Sequence, residues 1–119
     1  MKQPSPDHPI AIEPGGKRVR VHFAGRVVAD TSRALVLREA SYPPVYYIPR
    51  ADADMNLLMP TAHATRCPYK GDASYFTIAV DGREAVNAVW SYERPFPAVA
   101  AIEGHLAFYP NRIDAIEEG

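Results

Sequence analysis

Disulfide chemistry, charge excess and long apolar runs are all missing from this 119-residue chain. It has one cysteine, Cys67, so no disulfide can form within a monomer, and no zinc site can be built on cysteine pairs. A lone thiol fits a reducing compartment, and the chain reads as cytoplasmic. Lys and Arg number 13 against 14 Asp and Glu, which leaves a formal charge of −1. Binding of nucleic acid by bulk electrostatics needs a basic excess, so nucleic acid is excluded as the expected partner. No stretch approaches the roughly 18 apolar residues that a membrane span needs. Met1–Gly16 holds no apolar run of signal-peptide length. Phosphate-loop spacing and the Gly-x-Gly-x-x-Gly pattern are also absent.

What the chain has in excess is proline. Its 12 prolines are roughly twice average usage. Proline breaks helix interiors, so a bundle of long helices is excluded. The apolar fraction of 47% is that of a globular domain, and the length fits one domain. Residues 1–17 form a Pro-rich lead-in with Pro4, Pro6, Pro9 and Pro14, in which Ile10 and Ile12 are the only anchors to the body. Residues 18–119 form the β domain.

Within that domain, Val19, Val21 and Phe23 alternate with Arg18, Arg20 and His22, which is the period of a half-buried strand. Arg26–Asp30 and Arg33–Glu39 flank Thr31-Ser32 and read as a hairpin that sets Asp30 opposite Arg33. Val45–Ile48 is a short strand bracketed by prolines. Asp52 is expected to cap one helical turn, and residues 61–71 to be irregular. Asp72–Val80 and Arg83–Glu93 flank Asp81-Gly82, the preferred dipeptide for a two-residue hairpin turn. Continued without a break, that register sets Thr77 opposite Val86, Tyr75 opposite Ala88, Ala73 opposite Trp90 and Lys70 opposite Glu93. Both faces of the hairpin are apolar, so it is expected to be covered on both sides. Pro97 starts a short helical turn that ends before Gly104. His105–Tyr109 and Arg112–Glu117 are the last strands. The result is one all-β domain of about eight short strands with one or two helical turns.

The densest candidate site is Thr65-Arg66-Cys67-Pro68-Tyr69-Lys70-Gly71. An ammonium three residues from a thiol favours the thiolate, which makes Cys67 and Lys70 the candidate catalytic pair. The plain alternative is a buried Cys67 with Lys70 paired to Glu93. Tyr47, Tyr69, Trp90 and Tyr92 are candidate ligand-binding aromatics. Arg50, just past a strand end, can supply a fork for an anionic group, and His63 and Glu93 complete the candidate set. His63 and Cys67 are four apart on a segment without helical character, and His8, His22 and His105 are scattered. No metal site and no cofactor are assigned.

The segments around Tyr47-x-Pro49, Thr65-x-Cys67-Pro68-Tyr69-Lys70-Gly71-x-Ala73-x-Tyr75, Trp90-x-Tyr92 and Ala107-Phe108-Tyr109 resemble the DUF427 family, a domain of unknown function, across about residues 18–118. The resemblance implies a small, open β-tent or barrel-like fold, similar in shape to Mss4-like proteins and methionine sulfoxide reductase B. The family has carried a nucleotidyltransferase-type label, but this chain has no carboxylates paired for two metals. It also departs from Mss4-like relatives in lacking their CxxC zinc ligands, so no metal is carried over. The motif adds weight to Cys67, Lys70, Tyr47, Trp90 and Tyr92.

Three readings follow. The first is a pocket around the Cys67–Gly71 loop for a small anionic or aromatic molecule, with or without catalysis. The second is a non-catalytic structural or interaction module, homodimeric or not, in which the motif is core packing. The third is a single-cysteine redox protein that works through a sulfenic acid.

Overall fold

The short β2 (Val19–Phe23) shows how the sequence makes this fold: Val19, Val21 and Phe23 are buried while Arg20 and His22 face outward. The same alternation, cut short by turns and prolines, gives ten strands in the computed structural model, which describes Met1–Gly119. β1 (Ile10–Pro14), β4 (Leu35–Glu39) and β5 (Val45–Tyr47) form one sheet in the order β1-β4-β5. β10 (Ala115–Glu118), β2 and β3 (Arg26–Thr31) form a second. β6 (Leu58–Cys67), β7 (Gly71–Val80), β8 (Arg83–Ser91) and β9 (Leu106–Phe108) form a third, four-stranded sheet. All of the strand pairs are antiparallel. The domain is all-β as expected, and the sheets do not close into a barrel, which fits the open form that the resemblance implies. No helix is long and apolar enough to cross a membrane.

Two strands exceed the eight that the pattern predicts, and both are edge strands. β1 lies in the Pro-rich stretch and tolerates Pro14 because it pairs on one side only, with β4. β6 was expected to be irregular. It is exposed along most of its length, so nothing selects the alternation by which strands are recognised. Four short 3-10 turns (Arg50–Asp52, Met55–Leu57, Pro97–Ile102 and Pro110–Arg112) replace the one or two expected. Asp54 rather than Asp52 caps the second of them, through Asn56 N. Asp52 instead accepts from Thr31 Oγ1 at 2.7 Å and from Arg33.

The hairpin expected at Thr31-Ser32 does not form. β3 pairs with β2 and β4 pairs with β1 and β5, so the chain crosses between sheets there. Thr-Ser cannot readily supply the positive φ of a tight hairpin turn, and Asp30 binds Arg18 rather than Arg33. The tight turn lies earlier, at Ala24-Gly25, where φ is +51 and +76. Ala24 is held in that conformation by Asp114, which accepts its N–H at 2.8 Å.

The Asp81-Gly82 hairpin forms as expected, with Val80 opposite Arg83 and Ile78 opposite Ala85. Beyond Ile78 its register slips at a bulge where Asn87 takes φ +52. Tyr75 consequently faces Trp90 rather than Ala88. Both faces of this hairpin are covered. Phe76, Ile78, Val80 and Val89 join the main core with β2 and β3, while Ala73, Tyr75 and Tyr92 join a second, smaller core. At the end of β5, Ile48 exchanges two 2.8 Å backbone hydrogen bonds with Leu106 of β9. That link draws the first sheet against the third and sets Tyr47 into the second core and Ile48 into the first.

Candidate functional site

The second core is not filled. A cavity of about 360 Å³ opens within it, between the first and third sheets. Its walls come from β4, β5, the β6–β7 turn, β7, β8 and the segment after β9, and Glu39 and Lys70 are the only charged residues on it. Volume and composition are those of a small-ligand site: mostly apolar, with a few polar groups.

Five of the nine sequence candidates meet here: Cys67, Lys70, Tyr47, Trp90 and Tyr92. They come from separate strands, and the register of β7 and β8 aligns them. Tyr75 pairs with Trp90, and Tyr92 follows two residues on, on the same face. Cys67 ends β6 and packs, half-buried, against the second core. Lys70 precedes Gly71, whose φ of +112 disfavours any residue with a side chain. The Lys70 carbonyl accepts from Phe96 N, which anchors the turn.

Lys70 does not pair with Glu93. It is 8% exposed and bonds to Glu39 at the end of β4, because the slipped register and the packing of the first sheet bring Glu39 across. Glu39 also accepts from His8 Nε2 at 2.7 Å. Burial pushes the Glu39 carboxyl up, but the hydrogen bonds from Lys70 and His8 outweigh it and hold the group below the usual carboxylate range. His8 in turn stacks flat on Tyr69, with ring centroids 3.9 Å apart.

The aromatic hydroxyls divide into two kinds. Tyr75 and Tyr109 are bonded to each other at 3.4 Å, and Tyr75 also to Thr65 Oγ1 at 2.9 Å. Tyr47 accepts from Trp90 Nε1 at 3.3 Å. The Tyr92 hydroxyl makes no hydrogen bond, and the Lys70 ammonium stands 6.0 Å from its ring centre. Burial pushes the hydroxyl pKa of Tyr47, Tyr92 and Tyr109 upward. For Tyr109 it reaches about 12, with the Tyr75 hydrogen bond adding to the effect. These phenols therefore stay protonated at neutral pH.

The other four candidates lie outside the cavity wall. Arg50 lies against Phe76 and donates to Ser91 Oγ, Glu93 and the Gly104 carbonyl, on the sheet face opposite Tyr75 and Trp90. Glu93 is thereby held by Arg50 and by Ser74. His63 sits edge-on to Tyr75 at 4.5 Å and lines, with Glu93, an open groove along β6. Tyr69 lies beneath His8. No cluster of three or more His, Cys, Asp or Glu side chains converges to hold a metal ion.

Sequence reasoning missed Glu39, the partner of Lys70. It is 31 residues away, and a polar residue at the end of an alternating strand carries no signal that it will turn inward. Val45 is legible in the sequence only as a strand residue, and Tyr109 as the last residue of the Ala107-Phe108-Tyr109 motif.

An open-sheet, all-β domain with an aromatic cavity between two of its sheets is the class that these features define. The family model for the domain of unknown function DUF427 matches residues 11–119, and the chain belongs to that family. No curated protein matches it.

Proposed function

We propose that this chain is a small-molecule-binding domain and that its ligand is a flat, largely apolar or aromatic compound carrying one polar or anionic group. The observation that carries this reading is the meeting of Cys67, Lys70, Tyr47, Trp90 and Tyr92 around one cavity. Aromatic walls favour stacking and edge contacts with a ring. A buried ion pair such as Lys70–Glu39 contributes little net stability compared with apolar packing, which fits a role in orienting a ligand. Cys67 is the one nucleophilic thiol on the wall and is the candidate reactive group if the ligand is also turned over.

Trp90 is the only tryptophan in the chain and lies on the cavity wall, so the chain's tryptophan emission comes from a residue of the site. Titration with small aromatic acids, amides and ketones is expected to quench or shift that emission with saturation. Cys67→Phe, which fills the cavity with a ring, is expected to weaken binding by roughly thirtyfold, the equivalent of about 2 kcal/mol of ring burial. A chain whose emission does not respond to any such compound would contradict the reading. The contact of Cys67 with the second core also favours core packing as the role of the motif. Alkylation by iodoacetamide separates the two readings. A thiol that opens into a ligand cavity reacts in the native protein and is protected by a bound compound. A packed thiol reacts only on unfolding.

A further inference from the structure

Tyr47 is 1% and Tyr92 6% exposed, and each lines this cavity and no other. A phenol hydroxyl carries one donor proton. The Tyr47 hydroxyl accepts from Trp90 but donates to nothing, and the Tyr92 hydroxyl neither donates nor accepts. No fully enclosed side-chain polar atom in the molecule lacks a partner. The Tyr92 oxygen is therefore open, and the space beside it is the cavity. Lys70 adds to the same imbalance: an ammonium has three donors, and Glu39 takes one of them. On the acceptor side, the Glu39 carboxylate has each of its two oxygens bonded once, to Lys70 and to His8. The wall thus offers unused donors at Tyr92, Tyr47 and Lys70, while its one carboxylate has a partner on each oxygen. A ligand oxygen can accept from these donors, which the protein itself leaves unused.

Resting on the binding function above, we propose that Tyr92 and Tyr47 form a donor pair that binds a carbonyl-type oxygen, of a ketone, amide or carboxylate, on the aromatic ligand. The rings set the plane of the ligand and the two hydroxyls fix its polar end. Because burial keeps both phenols protonated, they serve as donors across the physiological range.

The test is calorimetric titration of the full chain with acetophenone, benzoate, ethylbenzene and benzylamine. Acetophenone or benzoate is expected to bind about 3–10-fold more tightly than ethylbenzene, the worth of one or two neutral hydrogen bonds. Benzylamine, a donor without an acceptor, is expected to bind weakest. If acetophenone leads, the class is a neutral carbonyl; if benzoate leads, it is a carboxylate. Tyr92→Phe should erase the advantage while ethylbenzene binding stays the same. That variant loses no hydrogen bond in the free protein, so its unfolding midpoint should be unchanged. Tyr47→Phe provides a second, independent removal. The donor pair is overturned if ethylbenzene binds as well as the oxygen compounds, or if both variants keep the preference; the binding function then survives. If none of the four compounds binds, both fall together.

Discussion

Replacing Lys70 with Met is expected to cost about 3–5 kcal/mol of folding stability, the usual cost of leaving one charge of a buried pair alone. For a domain of this size that is a fall of roughly 10–20 °C in Tm. The cost falls on Glu39, whose side chain is only 12% exposed and is left with only His8 as a partner. Removing both charges, as Lys70→Met with Glu39→Leu, should recover most of the loss, because a paired buried charge contributes little beyond what apolar packing supplies. The same pair sets the acid limb of stability. The Glu39 carboxyl is held below the usual carboxylate range, so its contribution is complete above the unfolded value near 4.3. It is lost as pH falls through the lower folded value. Urea unfolding of the wild type should weaken with acid over that window, and that of the double variant should weaken less. A Lys70→Met protein as stable as the wild type would show that the pair is not buried as described.

The second large effect lies at the other end of the pH scale. Tyr47 and Tyr92 have hydroxyl pKa values raised by burial, and Tyr109 is pushed up to about 12. Folding therefore holds protons that the unfolded chain releases near pH 10. The sign is the reverse of that for Glu39. The stabilisation is fully present below pH 10 and is lost as pH rises toward the folded values. Each of the two buried tyrosines should steepen the loss by roughly 1.4 kcal/mol per pH unit. Phenolate absorbance at 295 nm should accordingly rise in two stages, the second coinciding with loss of near-ultraviolet circular dichroism. Tyr92→Phe should make the alkaline limb shallower. A single smooth ionisation of all tyrosines near pH 10, with the fold intact, would contradict the burial of these hydroxyls.

Much of this molecule can be read in its sequence where one face of an element is buried. The alternation in Val19–Phe23, the Asp81-Gly82 turn and the prolines around Val45–Ile48 each express a local rule, and each holds. The strands that escaped notice, Ile10–Pro14 and Leu58–Cys67, are edges, where exposure removes the pattern. The register beyond Ile78 was illegible because the bulge depends on Asn87 taking a positive φ and on Thr61 and Thr77 bonding to it. That slip also undid the expected Lys70–Glu93 pair. Of the five cavity residues that the motif singles out, Trp90 and Tyr92 share a strand face, which spacing reveals, and Cys67 and Lys70 share one turn. Glu39 and His8 reach the site only through the docking of the first sheet on the third, and no local pattern encodes that. Arg50 was misjudged for a simpler reason. A strand-end arginine can turn to either face, and Ser91, Glu93 and the Phe76 ring hold it on the far one.

The central claim is that the aromatic cavity of the second core is where this domain meets its ligand. It is tested most directly by a two-dimensional ¹H–¹⁵N correlation spectrum recorded against a library of small aromatic carbonyl compounds. The indole Nε1–H of Trp90 and the amides of Cys67, Lys70 and Tyr92 should shift together and saturate with a common affinity, while those of the main core, such as Val21 and Ile78, stay still. Compounds that leave Trp90 unmoved, or that shift only residues along the open β6 groove such as His63 and Ser74, would contradict the claim.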